Sequence, residues 1–153
     1  NKRTARTPSK IGIDMLYPMF ALVAFVFLFI VCQFVLRLKS VRSRAVNLSY
    51  YRVFQSKDAE IPTQILAGGR HLSNMFETPV LFYVVSVLAI VLQVETLWMI
   101  TLGWVYVGAR IVHAYIHAVY NNIIHRMLIF WLGMIVLLLM WVTLVISASA
   151  TAV

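Results

Sequence analysis

The sequence predicts an all-α integral membrane protein, folded as a four-helix up-down-up-down bundle. Two observations predict it. Apolar residues make up 62% of the chain and charged residues only 12%, whereas soluble domains run near half apolar and a quarter charged. The apolar residues also gather into long runs, separated by one polar connection and two very short turns. The length of 153 residues suits one domain, and six Gly and four Pro exclude a low-complexity chain. A water-soluble fold of this size has too little interior to hide so much apolar surface, so lipid is its natural solvent.

The elements follow in order. Residues 1–14 form a basic tail that ends in Asp14. Met15 to Leu36 is an uncharged run of 22 residues, enough to cross a hydrocarbon core that needs about 20. Pro18 falls in the first turn, where a missing N–H is tolerated. The run is too long for a signal-peptide core, and no small-x-small cleavage pattern follows it, so it reads as a retained helix. Arg37, Lys39, Arg42 and Arg44 then end the span. A polar, basic connection over 37–61 leads to Pro62, a helix-start residue. The second helix is predicted over about 62–93, polar in its first half, apolar in its second, and bent near Pro79. Val94 and Glu95 leave room only for a tight turn. The third helix is predicted over about 96–121 with Trp98 as an interfacial anchor. A second short turn at Asn121-Asn122 precedes a fourth helix over about 126–148, and 149–153 form a short tail. No internal repeat and no second domain is visible.

Short turns force antiparallel neighbours, so the loop 37–61 and the turn 121–126 share one membrane face. That face carries Arg37, Lys39, Arg42, Arg44, Arg52, Lys57 and Arg126, against Lys2, Arg3, Arg6 and Lys10 on the other. The excess predicts cytoplasmic loops, with the termini on the opposite side. The net charge of +8 is accounted for by these flanking residues, and nucleic-acid binding is not the reading they support. The one cysteine, Cys32, lies in an apolar run and reads as inert packing.

Ionisable residues inside a span are expensive and point to function. On the second helix Arg70, Asn74 and Glu77 are spaced i, i+4, i+7 and share a stripe of about 60°. On the third, Tyr106, Arg110, His113, His117 and Asn121 fall within about 100°. Arg37 ends the first helix and Arg126 begins the fourth. The topology brings all of these toward the loop face. A structural polar core is one reading, with Glu77 neutralising Arg70 or Arg110 as interhelical glue. Yet three arginines at this depth outnumber the one glutamate, and excess buried positive charge favours an anionic guest. His113 and His117 have the i, i+4 spacing of a helical metal pair. The adjacent Arg110 would repel a cation, so no metal is expected.

These residues resemble a known family. Arg70-x-x-x-Asn74-x-x-Glu77 followed by Pro79 is similar to the second helix of the MAPEG family, the membrane-associated proteins of eicosanoid and glutathione metabolism. Arg37-Leu38-Lys39 resembles the basic end of that family's first helix. Arg110-x-x-His113 resembles the third-helix pattern of its prostaglandin E synthase branch. Arg126 sits where the family places an arginine at the start of helix four. The resemblance spans about residues 15–145 and is nearest the broad bacterial branch. It implies a homotrimer that binds glutathione in a U shape between subunits near the cytoplasmic face. By motif position, Arg37, Arg70, Asn74, Glu77, Arg110 and His113 would hold glutathione, and Arg126 would stabilise its thiolate.

The chain also departs from the pattern. Thr78, Pro79 and Val80 stand where eicosanoid enzymes carry a tyrosine shortly after the glutamate. His117 replaces another tyrosine and is the candidate substitute donor. Met127 replaces the serine of the prostaglandin branch. The resemblance thus implies a glutathione transferase or peroxidase acting on a lipophilic electrophile or hydroperoxide from the bilayer. The rival expectation is a non-catalytic lipid- or anion-binding trimer, or an accessory subunit of a larger membrane complex.

Overall fold

The structure, a computed structural model, describes the backbone of residues 14–43 and 63–151, and the side chains of 14–43 and 77–150. The basic tail before Asp14 and most of the connecting loop, with Arg44, Arg52, Lys57 and Pro62, lie outside the described residues. Within them the chain forms helices α1 (Leu16–Arg42), α2 (Thr63–Val91), α3 (Leu97–Val119) and α4 (Ile123–Thr151).

Helix α1 does not end where its apolar run ends. It continues past Arg37 to Arg42, and Ser43 N–H closes it on Lys39 O at 2.9 Å. Arg and Lys are good helix formers, so charge ends the span and not the helix. Lys39 and Arg42 lie in the last turn, beside the negative end of the helix dipole. Phe20, Phe27 and Phe34 recur every seven residues along its exposed face. Cys32 is exposed as well. It lies outside the protomer's packing, contrary to its reading as a packed thiol.

Helix α2 runs unbroken through the buried Pro79. Its end is a Schellman closure: Val94 N–H reaches Ala89 O at 3.0 Å, Gln93 N–H reaches Ile90 O at 3.1 Å, and Gln93 adopts φ 55°. Thr96 caps α3, its hydroxyl accepting from Met99 N–H at 3.2 Å. Asn121 turns the chain at φ 45°. Asn122 caps α4 by accepting from Ile124 N–H at 3.0 Å and His125 N–H at 3.2 Å. That cap starts α4 at Ile123, so Arg126 lies within its first turns, not at its first residue.

The helices alternate in direction. Helices α3 and α4 form the most extensive contact, and α2 packs against all three others, while α1 and α4 lie on opposite sides of the α2–α3 pair. The core is Met15, Leu22, Phe82, Val85, Met99, Tyr106, Leu137, Met140 and their neighbours. Gly103 lets the start of α1 approach α3: a Cβ there would lie 3.2 Å from Met15 Cε and 3.4 Å from Pro18 Cγ.

Among the described residues, Leu16–Arg42, Leu97–Val119 and Ile123–Ala150 are each long and apolar enough to cross a membrane, and Glu77–Val91 is the apolar part of α2. Large aliphatic and aromatic side chains cover the outside of the bundle, the surface expected of a protein solvated by hydrocarbon. The protein is an integral membrane protein.

Candidate functional site

Helix α3 supplies the centre of the site. Its sequence places Tyr106, Arg110, His113 and His117 three or four residues apart, so they point the same way. All four are buried, Arg110 with only 4% of its surface exposed. Four residues of the stripe that the periodicity predicted therefore face the interior of the protomer; the fifth, Asn121, is exposed in the turn, because the helix ends at Val119 and not at Asn121.

Helix α4 closes one side. The His113 ring lies 6.0 Å from the Phe130 ring and 6.3 Å from that of His117. His113 is also within Coulombic range of Arg110, His117 and Arg126, so α3 and α4 bring their charged groups together at one end of the bundle. Arg126 is half-buried, and its Nη1 donates to Asn121 Oδ1 at 3.1 Å. This bond holds the guanidinium over the α3–α4 turn, where Tyr120 Oη also meets His125 Nδ1 at 3.3 Å.

Helix α1 adds Arg37, half-buried, one turn beyond the buried Gln33. The sequence reading passed over Gln33. Its signal was its isolation as an amide in an otherwise apolar run, four residues before Arg37. The reading also passed over Ser86 on α2 and took Thr78 only as a departure from the family pattern; both hydroxyls are buried.

Helix α2 behaves differently. The side chains of Arg70 and Asn74, with those of Gly68, Gly69 and His71, lie outside the described residues. Glu77 is described and is exposed on the outside of the protomer. The structure thus gathers Arg110, His113 and His117 inside, with Arg37 and Arg126 half-buried at the same end, and turns Glu77 outward. Among the described residues no group of three or more His, Cys, Asp and Glu forms a metal-binding arrangement.

The result is a lipid-solvated four-helix bundle with a desolvated, cationic interior at one end. Guanidinium and imidazole groups in such a place can bind carboxylates and lower the pKa of a thiol. The MAPEG family profile matches residues 15–146, and the chain belongs to the MAPEG family. The family's members include glutathione-dependent transferases and peroxidases. No curated protein and no solved structure matches the chain.

Proposed function

We propose that this protein is a glutathione-dependent membrane enzyme of transferase or peroxidase type, acting on a lipophilic electrophile or hydroperoxide that enters from the bilayer. The observation that carries the proposal is the burial of Arg110 beside His113 and His117 at the end of the bundle that also holds Arg37 and Arg126. In a low-dielectric interior a guanidinium attracts a carboxylate far more strongly than it does in water. Glutathione has two carboxylates, one ammonium and one thiol. Arg37, Arg70 and Arg110 suit the carboxylates, Asn74 and His113 supply further polar contacts, and Glu77 suits the ammonium.

Glu77 points outward, so it joins this set only where a neighbouring protomer covers it. The working unit is therefore proposed to be a homotrimer with glutathione between subunits and the loop face toward the cytoplasm. Arg126 then stabilises the thiolate, whose sulfur bonds to the electrophilic atom of the acceptor as the leaving group departs with the bonding pair. His117 is the second donor at that end.

The test is titration of purified protein with glutathione by calorimetry and thermal shift. Stoichiometric binding and a rise in Tm are expected, because a ligand of the folded state stabilises it by mass action. Glu77→Ala should abolish the shift and Arg70→Ala should weaken it strongly. No shift at several millimolar would overturn the enzyme reading and favour an accessory or lipid-binding role.

A further inference from the structure

Gln33 is a polar group that the glutathione reading does not use. It interrupts the apolar run of α1 one turn before Arg37, and only 8% of its surface is exposed. Among the described residues its amide has no hydrogen-bond partner. At membrane depth a buried amide left unpaired is costly, because no bulk water reaches it. Glutamine in a span often serves as interhelical glue, and glue needs a partner on the facing helix. The protomer itself covers more than nine-tenths of Gln33, so a neighbouring helix has little of it left to reach. A small molecule entering beside α1 can reach the open edge.

The close contact at Gly103 sets the level of Gln33 in the membrane. Gly103 faces Met15 and Pro18, where a Cβ would lie 3.2 Å from Met15 Cε. Helices α1 and α3 run in the same direction, and each rises about 1.5 Å per residue. Gln33 comes 15 residues after Pro18 and 18 after Met15, which puts it about level with residues 118–121 at the end of α3. At that level Arg126 Nη1 donates to Asn121 Oδ1 at 3.1 Å. Arg37 lies about 6 Å nearer the loop face.

The covalent structure of glutathione matches these levels. Its thiol belongs to the central residue, between two peptide groups, and its carboxylates lie toward the ends. A thiol held by Arg126 puts a peptide group at the depth of Gln33. It leaves the carboxylates to Arg37 toward the loop face and to Arg110 deeper in. Within one protomer α1 and α4 lie on opposite sides of the α2–α3 pair, so Gln33 and Arg126 meet one ligand across an interface between copies. Rotation about the membrane normal preserves the depth they share.

We propose that Gln33 is a further ligand-binding residue, whose side-chain amide hydrogen-bonds a peptide group of glutathione beside the thiol. Its Nε2–H donates to the peptide carbonyl. Arginines read charge, which many dianions carry, whereas Gln33 reads the peptide bond that marks the tripeptide. The inference rests on the glutathione reading and extends it to the uncharged part of the ligand.

Gln33→Met in the full-length protein tests it, because methionine nearly keeps the volume and removes the amide. The ligand-free variant should melt no lower than wild type, since an unpaired buried amide is lost. Calorimetry should show glutathione bound about three- to tenfold more weakly, the range of one neutral hydrogen bond. An amide that merely holds helices together would give the reverse pattern. A fall of several degrees in the ligand-free Tm, or unaltered affinity, would overturn the inference. Infrared difference spectra with glutathione labelled with carbon-13 at its peptide carbonyls identify the group bound. One carbonyl band of the bound ligand should move to higher wavenumber in Gln33→Met; superimposable bands would overturn the assignment to a peptide group. A wild-type protein that binds no glutathione would sink the proposed function itself, whereas equal binding by wild type and variant would remove only Gln33.

Discussion

Arg126 is the side chain at which the proposed chemistry and the proposed binding can be told apart. Its Nη1 bond to Asn121 Oδ1 fixes the guanidinium at the turn that opens α4, away from the deeper Arg110. A ligand whose carboxylates are held by Arg37, Arg70 and Arg110 would present its thiol toward Arg126. A guanidinium there keeps its charge at any relevant pH and would lower the thiol pKa by about one to two units. Arg126→Leu is therefore expected to leave glutathione affinity within a few-fold. It should remove the thiolate absorbance of the bound ligand and slow conjugation by about tenfold or more. His117 is the paired control, being buried on the adjacent α3 face. If His117→Phe abolishes the thiolate signal while Arg126→Leu preserves it, activation belongs to the histidine. If neither change alters the signal, no thiol is activated and the enzyme reading falls.

At the scale of elements, the packing of α1 onto α3 depends on Gly103. A methyl group there meets only the flexible end of Met15 and the Pro18 ring edge, so Gly103→Ala should be nearly neutral. Gly103→Leu would drive α1 outward, and overpacking of this kind typically costs about 1–3 kcal/mol. A fall in Tm of several degrees for Leu and little change for Ala is expected; equal effects would show that the close approach does not matter. The same end of the bundle carries a titratable contact. Burial, and then the nearby Asp14, raise the Glu95 carboxyl above its ordinary value. The folded state therefore binds that proton more tightly than the unfolded chain does. Stability should rise as pH falls through the raised folded value toward the unfolded one, and the benefit is lost as pH rises again. Glu95→Gln should raise Tm slightly at neutral pH and have no effect near pH 4 (about the unfolded carboxylate value). The shift should be small and should shrink in salt, because the residue is only partly buried.

The four helices and their antiparallel order were legible because apolar runs longer than about 18 residues, as in α1, α3 and α4, have few alternatives, and the turns at 94–95 and 121–122 are too short for anything but neighbouring helices. The α3 stripe was legible because a 3.6-residue period puts Arg110, His113 and His117 on one side. Periodicity relates residues on one helix, but it does not say which side meets which neighbour. Hence Glu77, a residue of the α2 stripe, turns outward and Cys32 is exposed. Hence also the burial of Gln33 and Ser86 was not read from the sequence, although Gln33 stood out as an isolated amide in its apolar run.

That outward Glu77 carries the prediction for the whole molecule. It lies about 21 Å along α2 from Val91, inside the depth of a hydrocarbon core of about 30 Å. An acidic side chain facing lipid at that depth is unfavourable, and such residues almost always face protein or a water-filled cavity. A protomer alone leaves this side chain to lipid, whereas an interface between copies would enclose it. Cyclic association closes such a heterologous contact, and three copies is the number the family resemblance implies. In mild detergent the protein is expected to have the mass of three protomers and to cross-link to trimers without higher species. Glu77→Leu, which removes the charge yet keeps an apolar surface, should leave the trimer intact while abolishing glutathione binding. A monomeric mass, or cross-linking that stops at dimers, would overturn both the trimer and the intersubunit site. A trimer in which Glu77→Leu binds glutathione normally would keep the assembly and remove Glu77 from the site.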